Sequence, residues 1–157
     1  MVKVIKFLFA MFLGFLPGII GVMFTPRGMS DAWYNAMAKS VLTPDGWVFG
    51  VAWTLLYAML GIALYLVMRR PRPKGAKVKP YSLFVIQMIL NALWTYLFFG
   101  MHMMTAAFAV VVALVLVSIW MMRSFRPISR GASYLIWPYI LWGIFAAYLN
   151  GMILYLN

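Results

Sequence analysis

The chain contains no cysteine, one histidine and only two acidic residues in 157 positions. Without cysteine there are no disulfides, no thiolate chemistry and no cysteine-ligated metal. The single histidine, His102, sits among Met101, Met103 and Met104. A zinc site needs about three or four protein ligands, so no metal site is expected, and His102 offers at most one axial ligand to a haem. The two carboxylates, Asp31 and Asp45, leave no pair for general acid–base work. No Ser/His/Asp set and no phosphate-binding glycine loop occurs either. Acidic residues are also missing from every long apolar run, so proton-coupled transport lacks its usual relay.

What is abundant is apolar surface. Hydrophobic residues make up 66% of the chain and aromatic residues 18%. A soluble domain of this length could not bury that much, so lipid is the missing solvent. The apolar runs are 4–24, 47–68, 81–101, 105–122 and 132–156. Each is long enough for a helix to cross a hydrocarbon core, which takes about 20 residues. Only Lys6, at the start of the first, breaks the absence of Lys, Arg, Asp and Glu within them. Irregular backbone cannot face lipid, so each run is read as helix. The fold class is therefore an all-α membrane protein, a five-transmembrane-helix bundle forming a single domain over 1–157.

Cutting the chain this way sorts its charge. One side carries Lys3, Lys6, Arg69, Arg70, Arg72, Lys74, Lys77, Lys79, Arg123, Arg126 and Arg130, and the other only Arg27 and Lys39 with Asp31 and Asp45. Short cation-rich loops stay in the cytoplasm, which places the N-terminus inside and suits a bacterial inner membrane, with an outer membrane as the alternative. The net charge of +11 thus signals topology and anionic headgroups, and no nucleic-acid partner is expected. Phe24-Thr25-Pro26-Arg27 offers no small-residue cleavage site, so the first run is expected to remain as a helix.

The second helix is expected to start with Thr43 as N-cap, Pro44 at the first helical position and Asp45 at the positive end of the dipole. Trp47 then falls at headgroup level. Residues 25–43 form a long connection for a small bundle, and Trp33 and Tyr34 within it suggest a lid. Residues 69–80 look like an exposed basic connector. The short turn near 101–104 makes the third and fourth helices antiparallel neighbours. Gly14-x-x-x-Gly18, Gly46-x-x-x-Gly50 and Ala109-x-x-x-Ala113 are candidate close-packing seams.

Polar and aromatic residues within the spans fall in rows. Gln87, Asn91, Thr95 and Phe98, with Trp94 beside them, share one face of the third helix. Phe49, Trp53 and Tyr57 form a row on the second, and Pro138, Trp142, Ala146 and Asn150 one on the fifth. Buried amides can simply hold helices together in lipid, and buried indoles can simply pack. Depth adds a second reading. At 1.5 Å per residue Trp53 lies roughly 10 Å below the surface, with Trp142 and Asn91 near the mid-bilayer. These three can line one cavity beneath residues 25–43, suited to a large, flat, mostly apolar ligand. Arg27 and Lys39 stand on the same side, where they could meet a ligand carboxylate.

These residues carry a resemblance. Trp33-Tyr34, then Trp47-Val48-Phe49-x-x-x-Trp53-Thr54-x-x-Tyr57, then Asn91-x-x-Trp94-x-x-x-Phe98-Phe99, then Pro138-Tyr139-x-x-Trp142-x-x-x-Ala146-x-x-Leu149-Asn150 resemble the motifs of the TspO/MBR family, the tryptophan-rich sensory and translocator proteins. The resemblance implies a five-helix bundle, commonly a homodimer, that binds protoporphyrin IX or haem as ligand and needs no resident cofactor. It also implies sterol and benzodiazepine-type ligands. The implied pocket comprises Trp33, Tyr34, Trp53, Asn91, Trp94, Trp142 and Ala146. Where relatives degrade porphyrin under light and oxygen, the catalytic positions correspond to Trp53 and Trp142. The chain departs from the family at Lys39-Ser40-Val41-Leu42-Thr43-Pro44-Asp45, which lacks a Trp and two Pro. It also departs after Arg130, where no basic residue completes the cholesterol motif. Three functions follow: a tetrapyrrole receptor, sensor or carrier; a light-dependent porphyrin-degrading enzyme; and a small transporter or scaffold.

Overall fold

The computed structural model describes residues 2–25, 32–70 and 79–157. The placement of Arg27 beside a ligand and most of the 69–80 connector lie outside the described residues. Five helices are long and apolar enough to span a membrane: Lys3–Gly21, Gly46–Met68, Lys79–Gly100, Met104–Phe125 and Arg130–Leu156. In chain order the elements are α1 (Val2–Gly21), α2 (Ala32–Ala36), α3 (Gly46–Met68), α4 (Lys79–Thr95), a π-helical turn (Tyr96–Gly100), α5 (Met104–Phe125), α6 (Arg130–Leu135) and α7 (Trp137–Leu156). The expected five-span bundle is thus observed, with four local differences.

The first difference is at the start of α3. The N-cap is Asp45, with extended φ −60° and ψ 149° and no side-chain capping bond. Thr43 instead closes a turn through its N–H to Ser40 O at 2.9 Å, which places Pro44 ahead of the helix rather than inside it. The second is in the third span, where α4 gives way after Thr95 to a π turn. Met101 N–H there reaches Tyr96 O at 2.9 Å. The third is a break at Ile136 in the fifth span, between α6 and α7. Pro138 lacks the N–H that would bond Tyr134 O, so a continuous helix across 132–156 is disfavoured. The fourth is α1, which ends at Gly21 rather than 24. Val22–Phe24 form turns, and Thr25 Oγ1 donates to Gly21 O at 2.9 Å.

The main core is built from α3, α4, α5 and α7, with Leu60, Leu64, Phe84, Leu114, Met121, Phe125, Tyr139 and Ile140 buried together. The α4 and α5 helices run as antiparallel neighbours across the short turn at His102, whose φ of 55° lets the chain reverse. Along α1 and α3 the backbones nearly touch. A Cβ on Gly14 would stand 2.7 Å from both Gly61 N and Tyr57 O, so Gly14 and Gly18 form the expected close seam. The other two patterns do not. Gly50 faces open space and Ala109 is exposed, because those faces of α3 and α5 point away from the bundle. One further feature positions the site: α3 packs along α1 and against α6, but not along α7.

Candidate functional site

Aromatic rings fill the space between α3 and α7. Trp53 extends from α3 to meet Tyr57 at 5.5 Å, Tyr139 at 6.0 Å, Trp94 at 6.4 Å and Trp142 at 6.5 Å between ring centroids. Phe49, one turn above Trp53, lies edge-on to Trp142 at 5.8 Å. The two tryptophans therefore face inward, toward each other, at 89° between ring planes. The expected hollow is not between them, because the edge of one ring stands against the face of the other. Open space lies on the outer side of Trp142 instead, as an apolar groove of about 430 Å³ lined by Leu55, Leu56, Met59, Pro138, Trp142 and Phe145. Leu55 and Leu141 on its rim are exposed, so the groove opens sideways, toward where lipid lies. Trp142 Nε1 is buried with no acceptor.

Below the rings lies a polar layer. Tyr57 OH donates to Asn91 Oδ1 at 2.8 Å, and Asn91 Nδ2 donates to Tyr139 OH at 2.7 Å. Asn91 therefore ties α3, α4 and α7 together, and its amide is engaged by protein rather than turned toward a cavity. Gln87, one turn further on, is 0% exposed; it lies beside Tyr139, yet neither side-chain atom has a well-formed hydrogen bond. Thr95 Oγ1 donates back to Asn91 O at 3.3 Å. The predicted row Gln87, Asn91, Thr95 and Phe98 is buried along its whole length. On α7, Ala146 and Asn150 are buried and Pro138 and Trp142 half-buried. Asn150 accepts from Trp94 Nε1 at 3.2 Å and donates to Met104 O at 3.1 Å, holding the Trp94 ring in register.

The connection before α3 caps this end of the bundle. Trp33 and Tyr34, on α2, pack against Phe98 at 5.9 and 6.3 Å, and Tyr34 meets Phe99 at 5.8 Å. The π turn shifts the register of the third span by one residue and brings both phenylalanines to the lid; such turns recur at functional sites. His102 stacks on Trp33 at 3.8 Å and 14°. The lid is also moored to α7: Ser40 Oγ lies 3.0 Å from Tyr148 OH, and Asn157 exchanges two 3.1 Å bonds with Ala38. Burial pushes the Tyr34 phenol above its ordinary value of 10, which keeps it neutral. Lys39 Nζ donates to Tyr34 O and to Met37 O and rests 4.6 Å from the Tyr34 ring. In this structure the Lys39 ammonium is therefore engaged by the connection's own backbone. The ammonium closes the end of α2, because unpaired carbonyls at a helix C-terminus attract a cation.

The structure thus joins Phe49, Trp53, Tyr57, Asn91, Trp94, Pro138 and Trp142 in one region and Trp33, Tyr34, Phe98 and Asn150 in the adjoining lid cluster. Tyr139, His102, Tyr148 and Phe145 also belong here and were missed. Tyr139 stood within a quoted motif. The partners of His102 and Tyr148 lie 69 and 108 positions away, so no local signal could have paired them.

A model of the TspO/MBR family matches residues 8–156. The chain is 37% identical over 140 residues to the tryptophan-rich protein TspO of Chlorobaculum tepidum, covering 89% of this chain and 88% of that one. It is 34% identical over 153 residues to the tryptophan-rich sensory protein of Cereibacter sphaeroides, covering 94% and 92%. It is also 31% identical over 134 residues to the translocator protein of Ovis aries, covering 85% and 79%.

Proposed function

We propose, from the premise that this chain belongs to the TspO/MBR family and is an integral membrane protein, that it binds a flat tetrapyrrole such as protoporphyrin IX or haem. In this reading it acts as a membrane receptor, sensor or carrier. One observation carries it: the rings of Trp53, Trp142 and Phe49 fill the space between α3 and α7, beside a lateral apolar groove lined by these two helices. A planar ligand entering from the membrane would replace the edge-to-face contact between Trp53 and Trp142 with its own contacts to both rings. Each aromatic pair is worth about 0.5–1.5 kcal/mol beyond burial. The buried Trp142 N–H would donate to a polar edge of the ligand. The α2 lid would close the upper end, and sterol or benzodiazepine-type ligands would compete for the same apolar walls. The N-terminus lies in the cytoplasm of a bacterial inner membrane, a reading supported by eleven of thirteen cations at one end. The homodimer implied by the resemblance belongs to the same proposal.

The test is a titration of protoporphyrin IX followed by tryptophan quenching. Trp53→Phe with Trp142→Phe should weaken binding at least tenfold; unchanged affinity would refute this site. Trp94, Trp53 and Trp142 form a chain with 6.4 and 6.5 Å steps, which favours a second reading as a light-dependent porphyrin oxidase. In it a photoexcited porphyrin takes an electron from the adjoining indole, and dioxygen is the terminal oxidant. Under illumination in oxygen, bound porphyrin should decay faster than with Trp142→Phe; equal rates would remove the enzymatic reading.

A further inference from the structure

The end of the bundle opposite the lid holds a second concavity, of about 650 Å³, lined by Arg70, Arg123, Arg126 and Arg130 together with Ser129. Arg70 stands just past the end of α3, Arg123 and Arg126 at the end of α5, and Arg130 at the start of α6. Hydrogen bonds fix the α5 and α6 contributors relative to one another. Ile128 and Ser129 N–H both return to Phe125 O, at 3.0 and 2.8 Å, folding the chain back between α5 and α6. Ser129 Oγ accepts from Ala132 N at 3.3 Å, and Ser133 Oγ donates to Met122 O at 3.0 Å, pinning α6 to α5. Phe125, Ala132 and Ile136 beneath are 0% exposed. Arg123, Arg126 and Arg130 therefore project from a rigid floor, against which α3 packs just before Arg70.

Among the described residues none of the four guanidiniums has an ion-pair or hydrogen-bond partner, and the sequence holds only two acidic residues, Asp31 and Asp45, of which Asp45 is the N-cap of α3 at the lid end. A topology signal alone would be satisfied by scattered lysines, as Lys3, Lys6 and Lys79 are scattered at this end. Four arginines folded into one hollow are a different arrangement. Planar guanidiniums offer paired N–H donors that match phosphoryl oxygens, where lysine offers only a point charge. Tyr134 and Trp137, 64% and 47% exposed, flank the hollow one to two turns along, at the level where amphipathic rings mark the headgroup layer.

We infer that this four-arginine hollow is a binding site for a phosphoryl group, distinct from the aromatic site and independent of the function proposed for it. The phosphoryl group is carried either by an anionic lipid headgroup of the facing leaflet or by a soluble phosphate; basic pockets between transmembrane helices take the former. The full-length protein in uncharged detergent is titrated with phosphatidylglycerol, with phosphatidylcholine and with inorganic phosphate. Binding of phosphatidylglycerol or of phosphate should exceed that of phosphatidylcholine at least tenfold. Arg123→Gln with Arg126→Gln should abolish that preference, whereas Lys3→Gln with Lys6→Gln, which removes the same charge from the same end, should keep affinity within twofold. Arg70→Gln with Arg130→Gln repeats the loss from the other two elements, so misfolding of one pair, read from tryptophan emission and helical circular dichroism, leaves the other decisive. Phosphatidylglycerol binding that millimolar phosphate does not displace assigns the headgroup; displacement assigns the phosphoryl group in either carrier. Equal losses in the arginine and lysine pairs, or no preference over phosphatidylcholine and no phosphate binding in the unaltered protein, would overturn the site.

Discussion

The two sides of α3 are built in opposite ways. Toward α1 the helix presents Gly61 and the Tyr57 carbonyl, and Gly14 brings the partner backbone so close that a single methyl group would collide. Toward α7 it presents Phe49 and Trp53, whose rings meet Trp142 instead of a close backbone seam. Helices in lipid gain little from apolar burial, so they adhere where small residues permit close van der Waals contact. They stay apart where large rings stand between them. One helix therefore serves as a fixed wall on one side and as the lining of an aromatic-filled gap on the other.

That contrast can be broken in graded steps. The largest effect is expected at the closed seam. Gly14→Leu should lower the unfolding free energy by about 3 kcal/mol, since the obstructing atoms are backbone and cannot swing aside. Unfolding in mixed micelles reads this, and an unchanged transition would mean that α1 and α3 do not meet as described. Next is the polar floor of the gap. Asn91→Leu strands the Tyr57 and Tyr139 hydroxyls and should destabilise by about 2 kcal/mol. Adding Tyr139→Phe should recover part of that loss, and a double variant no better than Asn91→Leu would deny the coupling.

A smaller effect of opposite sign is expected one turn away. Gln87 is as buried as Asn91 but lacks well-formed hydrogen bonds, so Gln87→Met should raise stability by about 1 kcal/mol. Loss of stability in the same unfolding assay would show that the amide is satisfied. The smallest effect belongs to Gly50, whose Cβ position is empty space. Gly50→Ala should stabilise by about 0.5 kcal/mol through helix propensity alone. A destabilising result there would reveal a contact that the structure does not contain. Gly14 and Gly50 thus offer the sharpest pairing: the same residue type in sequence-similar patterns, with opposite responses to an added side chain.

Much of this was legible in advance where the signal is local. Five spans followed from apolar length, and the buried row on the third helix followed from intervals of three and four. The misreadings share a cause. Residue types alone place Thr43 as the N-cap of the second helix, yet a turn to Ser40 takes that residue out of the helix and leaves Asp45 as the cap. The fifth span read as one helix because hydrophobicity does not register the missing N–H of Pro138. Gly46-x-x-x-Gly50 has the same spacing as Gly14-x-x-x-Gly18; only the direction its face points distinguishes them. The partners of Lys39 were not legible because the carbonyls it bonds lie in and after a short helix that the sequence did not announce.

What the sequence alone determined is the solvent, the number of spans, the charge asymmetry between the two ends and the tryptophan-rich motifs, because each depends on residue type counted along the chain. What only the tertiary structure decided is where surfaces meet. Trp53 and Trp142 meet edge to face, and the apolar groove lies beside them rather than between them. Asn91 is engaged by two tyrosines, His102 clasps the lid through Trp33, and four arginines from three elements share one hollow. Helix periodicity states which residues share a face but not what that face will touch. The partner is set by how helices distant in sequence pack, and that packing is a property of the whole bundle.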